Sequence, residues 1–121
     1  MSQRRMNRDR EQIYLQAKNM GYGCISYLSS KATTFPGLAF GENCFFLEDN
    51  TLQPFIQNGH NVVLWSGNHI GHHVKIKDDV FVSSHVVIGG GTVIGSGSFL
   101  GINATVHDHI EVGERSLLGA G

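Results

Sequence analysis

The sequence predicts an all-β chain, a parallel β-helix wound as a triangular solenoid, with a short α/β remnant ahead of it. Three observations carry this. From Leu38 the chain divides into hexads, LAFGEN CFFLED NTLQPF IQNGHN VVLWSG NHIGHH VKIKDD VFVSSH VVIGGG TVIGSG SFLGIN ATVHDH IEVGER SLLGAG. The third place is apolar in thirteen of these fourteen hexads, Asn58 being the exception, and the fourth place is glycine in eight. Neither a helix, with period 3.6, nor an alternating strand, with period 2, sustains a period of six, so the internal repeat decides the fold ahead of local propensity.

Each hexad lays one short strand on a flat face and turns a corner, so three hexads, or 18 residues, complete a coil. The third-place side chain points inward and stacks on its equivalent one coil later. The neighbouring glycine allows a close approach that a Cβ would obstruct. Fourteen hexads span residues 38–121, four and two-thirds coils sharing one core.

Residues 1–37 read differently, as the remnant or linker of an N-terminal α/β sugar-nucleotide domain. Asp9 to Met20 forms an amphipathic helix with Ile13, Ala17 and Met20 on one stripe, stopped by Gly21 and Gly23. Cys24 to Leu28 follows as a strand-like run and Ser29 to Thr34 as a polar loop. One helix and one strand cannot bury their own apolar faces. At the other end the last coil stops at Gly121 without a polar closure, so residues 38–121 are expected to be a β-helix truncated at its C-terminus.

Composition excludes several classes. The net charge is -1 and no apolar run approaches the roughly 20 residues of a membrane span. Four arginines lie between Met1 and Arg10, but no apolar segment follows, so the run is not a secretory signal. It lacks interleaved aromatics and is diluted by Asp9 and Glu11, so no nucleic-acid partner is expected. Cys24 and Cys44 form neither a disulfide framework nor a zinc knuckle and read as reduced, buried thiols of a cytoplasmic protein.

The densest chemical signal is Gly67-Asn68-His69-Ile70-Gly71-His72-His73. The register puts Ile70 inside and His72 and His73 on a corner. Adding 18 places Gly90 and Gly91 beside them, and a further 18 places Asp108 and His109. Acyl transfer from a thioester needs a base, an oxyanion donor and room for a long, thin cofactor. A corner imidazole suits the first. Backbone N–H groups near the glycines, or the Asn68 amide, suit the second. The Gly89-Gly90-Gly91 run offers backbone approach for a pantetheine arm. His69, on the same face, completes the cluster. His85 stands at a corner two hexads on, where it meets the cofactor, a neighbouring subunit or solvent. His107 and His109 read as turn residues. Trp65 is too large for an inner corner and is expected outside, against a sugar, a base or a subunit interface.

These stretches, NVVLWSGNHIGHH with VFVSSHVVIGGGTVIG and SFLGINATV, resemble sugar O-acyltransferases of the sialic acid O-acetyltransferase type, relatives of the bacterial UDP-amino-sugar N-acetyltransferases. The run NRDREQIYLQAKNMGYGCISYLSSKAT resembles their linker into the β-helix. The resemblance implies a left-handed helix. It also implies a homotrimer with sites between subunits, acetyl-CoA as acyl donor, a sugar or nucleotide-sugar acceptor, and no metal. It assigns the catalytic base to His72. The acidic residue that follows this histidine in the N-acetyltransferases is replaced here by His73. Cofactor-groove positions fall at Gly90, Ile102 and Ala120, of which only the first is glycine.

Two other readings compete. A γ-type carbonic anhydrase needs three histidines converging on zinc from neighbouring subunits, a pattern the histidine spacing does not display. A non-catalytic solenoid or inactive remnant would keep the coils without the chemistry.

Overall fold

A computed structural model of the protein describes residues 3–121; Met1 and Ser2, which open the basic N-terminal run, lie outside the described residues. The fold is a left-handed parallel β-helix with one helix laid along it. Each hexad contributes a two-residue strand from its second and third places. Sheet A stacks Tyr27–Leu28, Phe45–Phe46, Val63–Leu64, Phe81–Val82, Phe99–Leu100 and Leu117–Leu118. Sheet B stacks Thr51–Leu52, His69–Ile70, Val87–Ile88 and Thr105–Val106. Sheet C stacks Gln57–Asn58, Lys75–Ile76, Val93–Ile94 and Glu111–Val112. All pairs are parallel with partners 18 residues apart, such as Phe45 with Val63 and His69 with Val87.

The third place fills the interior, with Phe46, Leu64, Ile70, Ile76, Ile88 and Leu100 fully buried. Phe40 is the departure. It stands at the open first coil, 40% exposed, and packs edge-on against Phe46 at 5.5 Å. The first place also points inward, which the apolar pattern alone did not reveal: Cys44, Ile56, Val62, Val74, Val80 and Val86 are buried. Each such aliphatic side chain contributes about 1.5–3 kcal/mol on burial. Four first places are polar, and their hydrogen bonds are made inside the coil. Asn50 donates to the carbonyls of Leu47 and Trp65, Thr92 to that of His107 and Ser98 to that of Gly113.

The corners are built at the sixth place. Every one of these residues from Asn43 to Gly121 has a positive φ, and ten are not glycine, with φ between 53° and 66°. Asn, Asp and His tolerate this left-handed region better than most residues, and they hold eight of the ten positions. The fourth-place glycines answer a different need. A Cβ on Gly71 would meet the Gly90 nitrogen at 2.6 Å, and one on Gly95 the Glu114 nitrogen at 2.6 Å.

The N-terminal region departs from expectation twice. The parallel ladder begins at Tyr27–Leu28, paired with Phe45–Phe46, and Thr33 bridges Thr51, so the first coil starts well before Leu38. The hexads SYLSSK and ATTFPG keep the register but lack its apolar third place and glycine beyond Leu28, which hid them. The strand expected over Cys24 to Leu28 is therefore a solenoid strand at its last two residues. The helix runs from Gln3 to Asn19, starting earlier than expected. Its supposed apolar stripe is not the docking face, since Ile13 is 66% exposed. The helix docks through Asn7, Arg10 and Tyr14, whose hydrogen bonds satisfy groups along the edge between sheets C and A. Among the described residues no helix is long and apolar enough to cross a membrane.

Candidate active site

The prism has three edges: A–B after sheet A, B–C after sheet B, and C–A after sheet C. The strand and corner geometry of NHIGHH sends His69 outward on sheet B and sets His72 and His73 on the B–C edge. Beside them opens a cleft of about 320 Å³, lined by Gln53, His69, Gly71, His72, Gly90 and Asp108 among others. The His72 ring covers Gly90: a Cβ there would lie 3.0 Å from His72 Nε2. The ladder fixes this registry, with Gly91 N–H donating to the His72 carbonyl at 2.9 Å and His109 N–H to the Gly90 carbonyl at 2.9 Å. His72 Nδ1 and His73 Nδ1 stand 3.0 Å apart, and the two rings are nearly perpendicular. His73 also packs on Phe55, with ring centroids 5.0 Å apart.

Asn68 is a correction. It occupies a first place, 1% exposed, with its amide committed inside the coil. Its Oδ1 accepts the Val86 N–H at 2.7 Å and its Nδ2 donates to the Trp65 carbonyl at 3.2 Å. That leaves no amide for an oxyanion or a sugar. The N–H groups of Gly71, Gly89 and Gly91 are likewise taken by ladder bonds, so the glycines offer clearance rather than three free donors.

The remaining candidates lie elsewhere. His85 stands on the A–B edge over Gly67, where a Cβ would meet the imidazole at 2.8 Å. Ile102 and Ala120, fifth places of sheet A hexads, share that edge, whereas Gly90 does not. Trp65 is outside as expected, 48% exposed, stacked on Phe81 at 6.2 Å. His60 sits on the C–A edge, its Nδ1 accepting the Glu42 N–H. Cys44 is buried and Cys24 half-buried, and both are free. Burial pushes the Cys44 thiol above its ordinary value. Among the described residues, no group of three or more His, Cys, Asp or Glu side chains is placed to hold a metal ion.

Sequence reasoning missed Gln53 and Phe55. Both lie 18 residues before positions already singled out, Gly71 and His73, so the same arithmetic run backwards reaches them.

No protein-family model matches the chain, and no curated protein matches it. Solved structures do. A mutant of perosamine N-acetyltransferase from Caulobacter crescentus, in complex with CoA and GDP-perosamine, superposes with TM-score 0.92 at 20% identity, over 95% of this chain and 55% of that one. The acetyltransferase domain of PglB from Neisseria gonorrhoeae, in complex with acetyl coenzyme A, gives 0.91 at 24% identity, over 95% and 56%. A mutant of AntD, an N-acyltransferase from Bacillus cereus in complex with dTDP and coenzyme A, gives 0.73 at 15% identity, over 88% and 75%. The chain thus spans little more than half the length of the first two. At these identities the likeness establishes the fold.

Proposed function

We propose that this chain is the β-helix of an acyltransferase that moves an acetyl group from acetyl-CoA to an amino or hydroxyl group of a nucleotide-linked sugar. One observation carries the reading: an imidazole, His72, stands over a glycine-floored cleft on a solenoid that superposes on CoA-bound sugar acetyltransferases. Those neighbours act on nitrogen by name, which favours an amino group; the resemblance in sequence favours a hydroxyl.

In this reading Gly71, Gly89 and Gly90 leave room for a slender pantetheine arm. Acetyl-CoA supplies the activated carbonyl. His72 Nε2 takes the acceptor's proton as the new C–N or C–O bond forms and the C–S bond breaks, and returns it to the departing thiolate. His69 and Trp65 are kept as contacts for the acceptor. His85, Ile102 and Ala120, on the A–B edge, reach the cofactor by side-by-side packing of copies in a homotrimer, where the A–B edge of one faces the B–C edge of the next. The enzyme acts in the cytoplasm, where its two free thiols remain reduced.

The test is thiol release from acetyl-CoA with a panel of UDP-, GDP- and dTDP-linked amino sugars. His72→Ala is expected to lower turnover by about 10²–10⁴-fold, the usual worth of a general base. Full activity in that variant overturns the base assignment. No thiol release by the parent with any acceptor favours a non-catalytic solenoid, and one zinc per chain in protein made without added metal favours a carbonic anhydrase. Sedimentation as a trimer tests the assembly.

A further inference from the structure

We propose that His73 is the positioning residue for His72: its Nδ1 accepts the Nδ1–H of His72 and fixes the tautomer whose bare Nε2 faces the cleft. The proposal rests on the reading of His72 as base and names what orients it. Two ring nitrogens 3.0 Å apart form a hydrogen bond only when one carries hydrogen and the other does not. If His72 donates, its second nitrogen is free for a proton, and it is Nε2 that overlies Gly90. His73 then carries its own hydrogen on Nε2.

His73 is held for this task from three sides. Its backbone, at φ 58°, turns the ring back over the corner toward its neighbour. Its N–H donates to the Pro54 carbonyl at 3.1 Å. Phe55 packs against the ring at a tilt of 31°, while His72 meets it edge-on at 89°. The carboxylate lining the cleft, Asp108, lies against Gly89 and not against His72 Nδ1. The partner of His72 is thus a neutral imidazole.

The chemistry closes without rearrangement. When Nε2 takes the acceptor's proton, His72 becomes an imidazolium that still donates from Nδ1 to the bare Nδ1 of His73. The bond gains strength because its donor is now charged. When Nε2 returns the proton to the thiolate, the starting pair is restored. His73 gains and loses no proton.

Long-range ¹H–¹⁵N correlation on the full ¹⁵N-labelled chain reads the tautomers directly, with or without turnover. The expected result is hydrogen on His72 Nδ1 and His73 Nε2. The reverse, hydrogen on His72 Nε2 and His73 Nδ1, overturns the proposal. Two variants separate acceptor from ring. His73→Phe keeps a ring but no acceptor, and Phe55 shows that phenylalanine fits this left-handed corner one coil earlier, at φ 66°. His73→Asn keeps an acceptor near the Nδ1 position and suits the same backbone. Turnover is expected to fall about 10–100-fold in His73→Phe, as for loss of an orienting partner. The KM for acetyl-CoA is expected to stay within about twofold, since only transition-state interactions are lost. His73→Asn is expected to retain most of the parent's turnover and the Nδ1–H form of His72. Parental activity in His73→Phe, or equal loss in both variants, overturns the proposal. Failure of the base reading looks different: His72→Ala keeps its activity while the tautomers stand as stated.

Discussion

Two edges of the prism share one backbone and differ in everything attached to it. On the C–A edge the sixth places are chained together, Asn43 donating to Asn61 and Asn61 to Asp79, both at 2.9 Å. Arg10 of the helix then binds the Asn61 carbonyl and the Asn7 amide while lying 5.7 Å over Phe81. Burial lowers the affinity of that guanidinium for its proton, and Asp79 partly restores it. On the B–C edge the equivalent places carry Phe55, His73, Gly91 and His109, and no helix covers them. The repeat therefore supplies geometry on all three edges. The fifth- and sixth-place side chains decide whether an edge is sealed or left open for chemistry.

The largest difference expected between the edges lies in their fourth-place glycines. A Cβ on Gly71, on the B–C edge, would strike the Gly90 backbone, with its nitrogen at 2.6 Å and its Cα at 2.9 Å, and backbone cannot swing aside. A Cβ on Gly41, on the C–A edge, would strike the His60 imidazole, which is the end of a side chain. Gly71→Ala is expected to destabilise by about 1–3 kcal/mol, as overpacking does. Gly41→Ala is expected to cost no more than the exposed hydrogen bond from Glu42 N–H to His60, about 1 kcal/mol. Urea unfolding of the two variants checks the order, and equal midpoints would mean that the coils slide more freely than the ladder implies.

A smaller effect separates stability from activity. Asn7 is buried and its Nδ2 donates to the carbonyls of Gly97 and Ser98, at 3.1 and 2.9 Å. Asn7→Ala leaves those groups without that donor and is expected to cost about 1–3 kcal/mol. Because the C–A edge does not touch the cleft, thiol release by the folded variant is expected to match the parent. Activity that falls in step with stability would show that the two edges are coupled.

How much of this was legible depends on which place of the hexad carries the signal. The third place announces itself through Leu, Ile and Val, so the coil period and the outward position of His72 follow by counting. The first place does not, because Asn50, Asn68, Thr92 and Ser98 interrupt its apolar run. That interruption made Asn68 look like a surface group when it is a rung of the interior. The left-handed sixth place was written in the sequence as Asn, Asp, His and Gly, yet Phe55 and Arg115 adopt the same conformation with no such signature. The separation of Gly90 from Ile102 and Ala120 follows from the remainder on dividing by 18. The docking of the helix does not follow from any period, because it uses polar contacts and leaves Ile13 outside.

The smallest expected effect concerns the far end of that helix. Lys18 contacts Glu42 at 2.7 Å, and the Tyr14 hydroxyl donates to the same carboxylate at 2.6 Å. The hydrogen bond from Lys18, then that from Tyr14, holds the Glu42 carboxyl below its ordinary value. A depressed carboxylate contributes stability that is present above the pH where the unfolded glutamate titrates, near about 4.3, and is lost as pH falls through the lowered folded value. Glu42→Gln removes the charge while keeping an acceptor for Tyr14. Its urea midpoint is expected to lie slightly below the parent's at neutral pH, and the gap is expected to close on acidification and in high salt, which screens an exposed pair. The B–C edge offers the control, because His109→Asn changes a corner residue of the same conformation without touching this cluster. A gap that persists unchanged into acid would mean that Glu42 holds the helix by shape and not by charge, and the C–A edge would then be sealed by packing alone.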